Sequence, residues 1–300
     1  MSRQSESPFE QIALAGGGGR CVWQVGFLDA VAPAIALTPR VITAVSAASM
    51  MACLWVTRGT EKAFRFFDRA LSANRKNAYW GNLVRSERVF PQYGIYRQAL
   101  MELLEGELDR LREAPEIRIA LSRAPAWLGT RSAFLLGSAA YAYDKHVRGR
   151  LHPLSARRLG FRHEWVRAQD CASVEQLADL ILHSSCSPPF TPALKRDGIA
   201  VLDGGVVDNV PVDGLDRSSG RVLVLLTRPY PGRARTFEVT VEGQRRLYVQ
   251  PSRPTPVSSW DYTRPDLVRS TYDLGRRDGE EFLATWPSPR GELARATAGP

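Results

Sequence analysis

Apolar and polar positions alternate along this chain in two rhythms. Gln11–Ala15 (QIALA) is a short apolar run cut off by four glycines, which reads as a buried strand entering a tight turn. From Val22 to Ala36 the apolar residues fall at Val22, Val25, Leu28 and Val31, with Phe27, Ala30 and Ala34 beside them, a helical spacing. Arg40–Val45 is a β-branched strand that meets Ser46-Ala47-Ala48-Ser49, and Met50–Thr57 continues as a buried helix. Strand, turn and helix, repeated once, is the rhythm of a parallel α/β sheet.

Beyond this the pattern predicts two long amphipathic helices over Glu61–Asn77 and Gln92–Glu113, a strand at Ile117–Leu121, a helix at Ala133–Val147 and a strand at Phe161–Val166. Val174–His183 reads as a helix capped by Ser173, with Glu175 and Gln176 in its first turn. Three prolines keep Ser184–Pro192 (SSCSPPFTP) out of regular structure. Ile199–Leu202 and Val222–Leu226 are apolar enough for buried strands, and Pro265–Thr285 closes with an amphipathic helix after a proline-rich loop. No linker divides the chain. The expectation is one domain over residues 11–290, with tails at 1–10 and 291–300.

Composition is that of a globular chain: 300 residues, 44% hydrophobic and 24% charged, with a mean hydropathy of −0.23. The longest apolar run, Ala133–Tyr143, falls well short of the ~20 residues that span a bilayer. The polar N-terminus lacks the apolar core of a secretory signal, so the protein is expected in the cytoplasm, peripheral to a membrane where it meets one. Cys21, Cys53, Cys171 and Cys186 contain no C-x-x-C pair, which argues against structural zinc and a disulfide scaffold alike. The net charge is +9, and Lys145–Arg167 alone carries seven Lys/Arg against Glu164, a segment an anionic partner would find. No nucleic-acid-binding motif accompanies that charge.

Three places hold candidate chemistry. Gly16–Arg20 (GGGGR) joins a strand to a helix, where consecutive backbone N–H groups make an anion site or merely a tight turn. Its spacing fits neither G-x-G-x-x-G nor a phosphate-binding G-K-[ST]. Ala44-Val45-Ser46-Ala47-Ala48 has the shape of a nucleophile elbow with alanine at both glycine positions, although a serine before a helix is also an ordinary N-cap. In Val201–Val212 (VLDGGVVDNVPV), Asp203 stands at a strand's carboxyl end, where α/β sheets bind ligands. All four histidines precede Asp203, so a Ser-Asp-His order would need Ser46 with Asp144 or Asp170 and His183. A serine–aspartate pair is simpler.

Taken in order, GGGGRCVWQVG (Gly16–Gly26), AVSAAS (Ala44–Ser49), SSCSPPFTP and VLDGGVVDNVPV resemble the patatin-like phospholipase family, as does the closing YDLGRRDGEEFL (Tyr272–Leu283). The resemblance implies a three-layer α/β fold with a mostly parallel central sheet flanked by helices. It implies a Ser46–Asp203 dyad and an oxyanion hole from the N–H groups around Gly17, Gly18 and Gly19, with Arg20 holding that loop. It implies a phospholipid or lysophospholipid ester as substrate, an acyl-enzyme intermediate, and no metal or organic cofactor. Asp203 would need partial burial to act as a base near neutral pH.

Ala44, Ala48 and Cys21 depart from the family pattern by adding bulk where backbones approach. Overpacking costs roughly 1–3 kcal/mol where a site cannot relax. With both dyad residues present the expectation is an active enzyme; the alternative is a silent module that binds lipid or a protein partner. Trp23, Phe27 and Trp55 are candidates for an acyl pocket, and Lys145–Arg167 for contact with an anionic membrane. Nothing in the sequence sets the oligomeric state.

Overall fold

The computed structural model describes residues 7–218 and 220–286; of the expected tails, residues 1–6 and 291–300 lie outside these. Nine strands form one sheet: β1 (Gln11–Leu14), β2 (Val41–Val45), β3 (Glu116–Arg123), β4 (Arg162–Arg167), β5 (Leu194–Arg196), β6 (Ile199–Asp203), β7 (Arg221–Leu225), β8 (Thr236–Val241) and β9 (Gln244–Val249). The helices are α1 (Val22–Ala34), α2 (Ala47–Val56), α3 (Thr60–Ala73), α4 (Gln92–Leu104), α5 (Leu108–Glu113), α6 (Thr130–Ala142), α7 (Ser155–Arg158), α8 (Val174–Ser184), α9 (Gly205–Asp208) and α10 (Pro265–Thr285).

The strand order is β5-β6-β3-β2-β1-β7-β9-β8, with β4 also on β3. Neighbours within β3-β2-β1-β7-β9 run parallel, as the alternation of strands and helices predicts. The sheet is nonetheless mixed, because β4, β5, β6 and β8 pair antiparallel at its margins. Every residue of β1 and β2 is buried, which is why their sequences are runs rather than alternations.

Successive side chains of the central strands point to opposite faces. Ile12, Leu14, Ile42, Ile119, Leu223 and Leu225 join the core made with α1, α2, α4, α8 and α10. Ala13, Val222 and Val224 turn the other way, onto Val210, Val212 and Tyr248. Next to them Leu202 and Ala200 meet α6, α7 and α9. The result is the three-layer α/β arrangement. α10 crosses α1 at glycine: a side chain at Gly26 would sit 2.2 Å from the Tyr272 carbonyl, and one at Gly275 2.1 Å from that of Trp23. Trp23 Nε1 also donates to Asp278 at 2.8 Å.

Several boundaries differ from expectation for local reasons. The expected Gln92–Glu113 helix is two, α4 and α5, broken beside Gly106 at φ +75°. Ala133–Val147 ends in a π-helical turn over Tyr143–Val147. Packed chain begins before Gln11: Phe9 is fully buried against Trp286, and Glu10 bonds through its backbone to Arg221 and Arg40. The hairpin β8–β9 was not expected at all.

Candidate active site

β3 brings the two candidate side chains together. Along one edge β2 runs parallel to it and ends with Val45 opposite Ala120. β4 pairs with Arg118–Arg123 on the other edge, so β6, which pairs with Leu121–Arg123, must continue the edge that β2 leaves. β6 is antiparallel and ends with Asp203 opposite Leu121. Two strands thus arrive head-on at consecutive residues of a third, and Ser46 and Asp203 are what stands at the junction.

Ser46 holds φ 57° and ψ −138°, a conformation a residue with a side chain seldom adopts. The bond network around it over-determines that backbone: Ser46 N–H donates to Ser184 Oγ at 2.8 Å, and Ser184 Oγ donates to the Ala120 carbonyl at 2.6 Å. The Ser46 side chain makes no capping bond to α2 and borders the same cavity as Asp203, which sets aside the ordinary N-cap. Ala44 and Ala48 are fully buried on either side of this turn, so the elbow forms with alanine at both positions.

Asp203 is fastened as firmly. Its N–H donates to the Cys186 carbonyl at 2.8 Å, Gly205 N–H donates to Oδ1 at 2.8 Å, and Ser187 Oγ lies 3.4 Å from Oδ2. Burial pushes the carboxyl up to about 6, against the neighbouring Ser46 hydroxyl and the hydrogen bonds from Gly205 and Ser187, which favour the anion. His163 braces the next residue, with Nε2 2.9 Å from the Gly204 carbonyl and Nδ1 3.0 Å from Asp213. Burial alone would raise the Asp213 carboxyl, yet His163 and Arg157 draw it down to about 2.

The glycine loop is anchored at Gly16, whose N–H donates to the Asn209 carbonyl at 3.0 Å. Its carbonyl accepts from Asn209 Nδ2 at 2.9 Å and Thr227 Oγ1 at 2.7 Å. Gly18 holds φ +59°, and a side chain there would meet the Ser259 carbonyl at 2.1 Å. Gly17 and Gly18 border the same cavity as Ser46. Gly19 does not: it gives its N–H to the Ser259 carbonyl at 3.2 Å. Arg20 closes the turn, donating from N–H and Nε to the Gly17 carbonyl at 3.3 and 3.1 Å. Cys21 is absorbed into the core, its sulfur 3.7 Å from the Ala15 carbonyl and its thiol pushed up to about 12 by burial.

The cavity over Ser46 and Asp203 measures about 300 Å³. Phe134 and Tyr141 of α6, Phe190, Trp260 and Leu202 supply its apolar walls. Phe190 and Trp260 stack at 4.3 Å between centroids. Behind the glycine loop a narrow apolar crevice of about 40 Å³ runs between Gly18, Ala47, Met50, Met51, Ile95 and Ala99.

Comparison with known proteins gives the family. A family model described as patatin-like phospholipase matches residues 12–216. The chain belongs to the patatin-like phospholipase family. Hydrolysis of lipid acyl esters is that family's chemistry. Among solved structures the chain is similar to VipD from Legionella pneumophila, at 12% identity and a TM-score of 0.41, over 91% of this chain and 67% of that one. No curated protein matches the chain.

Other sequence candidates in this patatin-like chain lie elsewhere. Trp23 and Phe27 are fully buried core residues and do not reach the cavity; Trp55 lines an open basin of about 1560 Å³ that contains neither Ser46 nor Asp203. The Ser46–Asp144/Asp170–His183 alternative does not assemble. Asp144 accepts the N–H groups of Leu154 and Ser155, Asp170 pairs with Arg167, and His183 bonds the Lys195 carbonyl. The basic stretch is divided: Arg150, Arg157 and Arg167 pair with Asp144, Asp213 and Asp170, while Lys145 lines the cavity over Ser46. Among the described residues no helix is long and apolar enough to cross a membrane, and no group of three His, Cys, Asp or Glu gathers as a metal site.

Sequence reading missed the supports. Ser184 and Ser187 were seen only as part of a proline-rich loop, and His163 carried no motif. Their contacts join residues 138, 16 and 41 positions apart, separations that no local pattern encodes.

Proposed function

We propose that this protein hydrolyses the acyl esters of phospholipids or lysophospholipids through a Ser46–Asp203 dyad. The observation that carries the reading is that Ser46 and Asp203 line one cavity at the meeting point of β2 and β6. Ser46 Oγ attacks the ester carbonyl while Asp203 takes its proton. The carbonyl oxygen becomes an oxyanion against the N–H groups of Gly17 and Gly18, which border the cavity. Asp203 returns the proton to the leaving alcohol as the acyl-enzyme forms. Water then attacks the acyl-enzyme while Asp203 accepts its proton; Asp203 passes that proton to Ser46 Oγ as the Ser46 ester bond breaks and the fatty acid departs. The apolar walls of the cavity itself, Phe134, Leu202, Phe190 and Trp260, support a place for the start of the acyl chain.

The reaction needs a lipid surface within reach. Exposed Leu135 and Val147, on and just beyond α6, stand next to the residues that wall the cavity, and the unpaired part of the 145–167 stretch favours an anionic surface.

Fatty-acid release from mixed phosphatidylcholine/phosphatidylglycerol vesicles tests the reading. The protein is expected to release fatty acid and Ser46→Ala to be silent. Equal inertness of both, with vesicle binding intact, would instead favour a lipid-binding module.

A further inference from the structure

Most acidic side chains near the cavity are already committed, and three cations are not. Arg20, Lys145 and Arg228 form no ion pair with any carboxylate among the described residues. Arg20 and Lys145 both line the cavity over Ser46, whose wall contains a single carboxylate, Asp203. Arg228 follows Thr227, which holds the glycine loop, and its guanidinium lies 4.7 Å from the Tyr230 ring centroid.

The backbone sets this up. Lys145 sits in the π-helical turn that continues α6, a register change of the kind that re-aims side chains at functional sites. Its Nζ stands 5.3 Å from the ring centroid of Tyr141, itself a wall of the cavity. The adjacent carboxylate, Asp144, is turned away and fully buried, accepting the N–H groups of Leu154 and Ser155 at 3.0 and 2.6 Å. Burial and the charges of Arg228 and Arg20 together hold the Lys145 ammonium down to about 8, so the three groups feel one another. Like charges gathered in a half-buried cavity repel, and an anion with several acceptor oxygens relieves that repulsion while using the ammonium and guanidinium donors.

We infer that Arg20 and Lys145, which both line the cavity, form an anion subsite beside the Ser46–Asp203 site, with Arg228 outside that lining adding positive charge, and that it takes the phosphate of a lipid headgroup. The inference rests on the lipid-ester reading for its ligand, but the subsite exists whether or not Ser46 turns over. A phosphate held there places the glycerol ester over Ser46 and leaves neutral glycerides without their anchor. It also gives the cavity's positive potential a role separate from the oxyanion hole, which stabilises charge only during reaction.

Equilibrium binding of molecules with no ester to cleave separates the two. The probes are an ether-linked 1-O-hexadecyl lysophosphatidic acid, neutral 1-O-hexadecylglycerol, and glycerol 3-phosphate, titrated calorimetrically into the full chain. The ether phosphate is expected to bind at least about tenfold more tightly than the neutral ether. Lys145→Gln with Arg228→Gln is expected to remove that preference, and Lys145→Arg to restore much of it in the Arg228 background. Tight binding of the ether phosphate but not glycerol 3-phosphate assigns the subsite to a lipid headgroup. Equal binding of both keeps the anion subsite and overturns the lipid source. Equal binding of charged and neutral ethers, or an unchanged preference in the double variant, overturns the subsite itself. If the subsite binds as expected while vesicle hydrolysis is absent, the enzyme reading fails and the anion site stands.

Discussion

Ser184 Oγ accepts the backbone N–H of Ser46 at 2.8 Å and donates its own O–H to the Ala120 carbonyl at 2.6 Å. One hydroxyl therefore ties the elbow of β2 to the end of α8 and to β3, and it is fully buried. Ser184→Ala leaves the Ser46 N–H and the Ala120 carbonyl without this partner, a loss of about 1–3 kcal/mol. Urea denaturation is expected to show that loss, and kcat to fall because Ser46 is no longer held in its left-handed conformation. Unchanged kcat in a destabilised variant would separate the bond from catalysis.

In the proposed mechanism Asp203 has to be ionised to accept the Ser46 proton. With its carboxyl pushed up to about 6 by burial, kcat/KM is expected to rise with pH through a midpoint near 6 and then level. A soluble short-chain ester measured from pH 4 to 9 checks this without interfacial effects. A midpoint near 4 would mean that Asp203 is not buried during turnover.

The same burial makes Asp203 a liability for stability. Its folded-state pKa lies above the unfolded value of 3.8, so the native state is favoured most below pH 3.8, and this advantage is lost as pH rises through about 6. Above pH 6 the ionised carboxylate costs the fold on the order of 3 kcal/mol. Asp203→Asn is therefore expected to be inactive yet more stable than the parent at pH 8, with the difference shrinking towards pH 4. Equal melting temperatures at pH 8 and pH 4 would contradict the burial argument.

Gly18 and Gly19 are predicted to differ. Gly18 holds φ +59° and meets the Ser259 carbonyl, whereas a side chain at Gly19 would find its nearest atom, the Ser258 carbonyl, at 3.0 Å. Gly18→Ala is expected to lower kcat by about 10²–10³, the loss typical of a displaced oxyanion donor. Gly19→Ala, whose N–H already serves Ser259, is expected to lose much less. Equal losses would place both N–H groups at the oxyanion.

Ala44 and Ala48 are fully buried around an elbow that is already formed. Ala44→Gly and Ala48→Gly are expected to give no gain in ester hydrolysis and to lose about 0.5–1 kcal/mol each through added backbone freedom. A marked rise in kcat in either glycine variant would show that the alanines do restrain the site.

Much of the central fold could be read along the chain because its elements are local. The apolar runs of β1, β2 and β7 predict buried parallel strands, and α10 occupies the expected Pro265–Thr285. The hairpin β8–β9 was open to the same reading. Phe237, Val239 and Val241 alternate with polar residues, and Glu242-Gly243 forms a two-residue turn with both φ values positive. An alternation facing solvent on one side is a weaker signal than a run.

Ser46, Asp203 and the glycine loop were identifiable because turn chemistry writes them into consecutive residues. Small residues flank the serine, glycines surround the aspartate, and each motif sits at a strand's carboxyl end. Their meeting was not in those motifs. It follows from β3 accepting β2 and β6 end to end along one edge, a pairing between residues about 75 to 82 positions apart that hydrogen-bond register decides. The supports from Ser184, Ser187 and His163, the removal of Gly19 from the cavity, and the turning of Lys145 into it belong to the same level. Local sequence sets which backbone conformations are available, and only the packed sheet decides which side chains share a cavity.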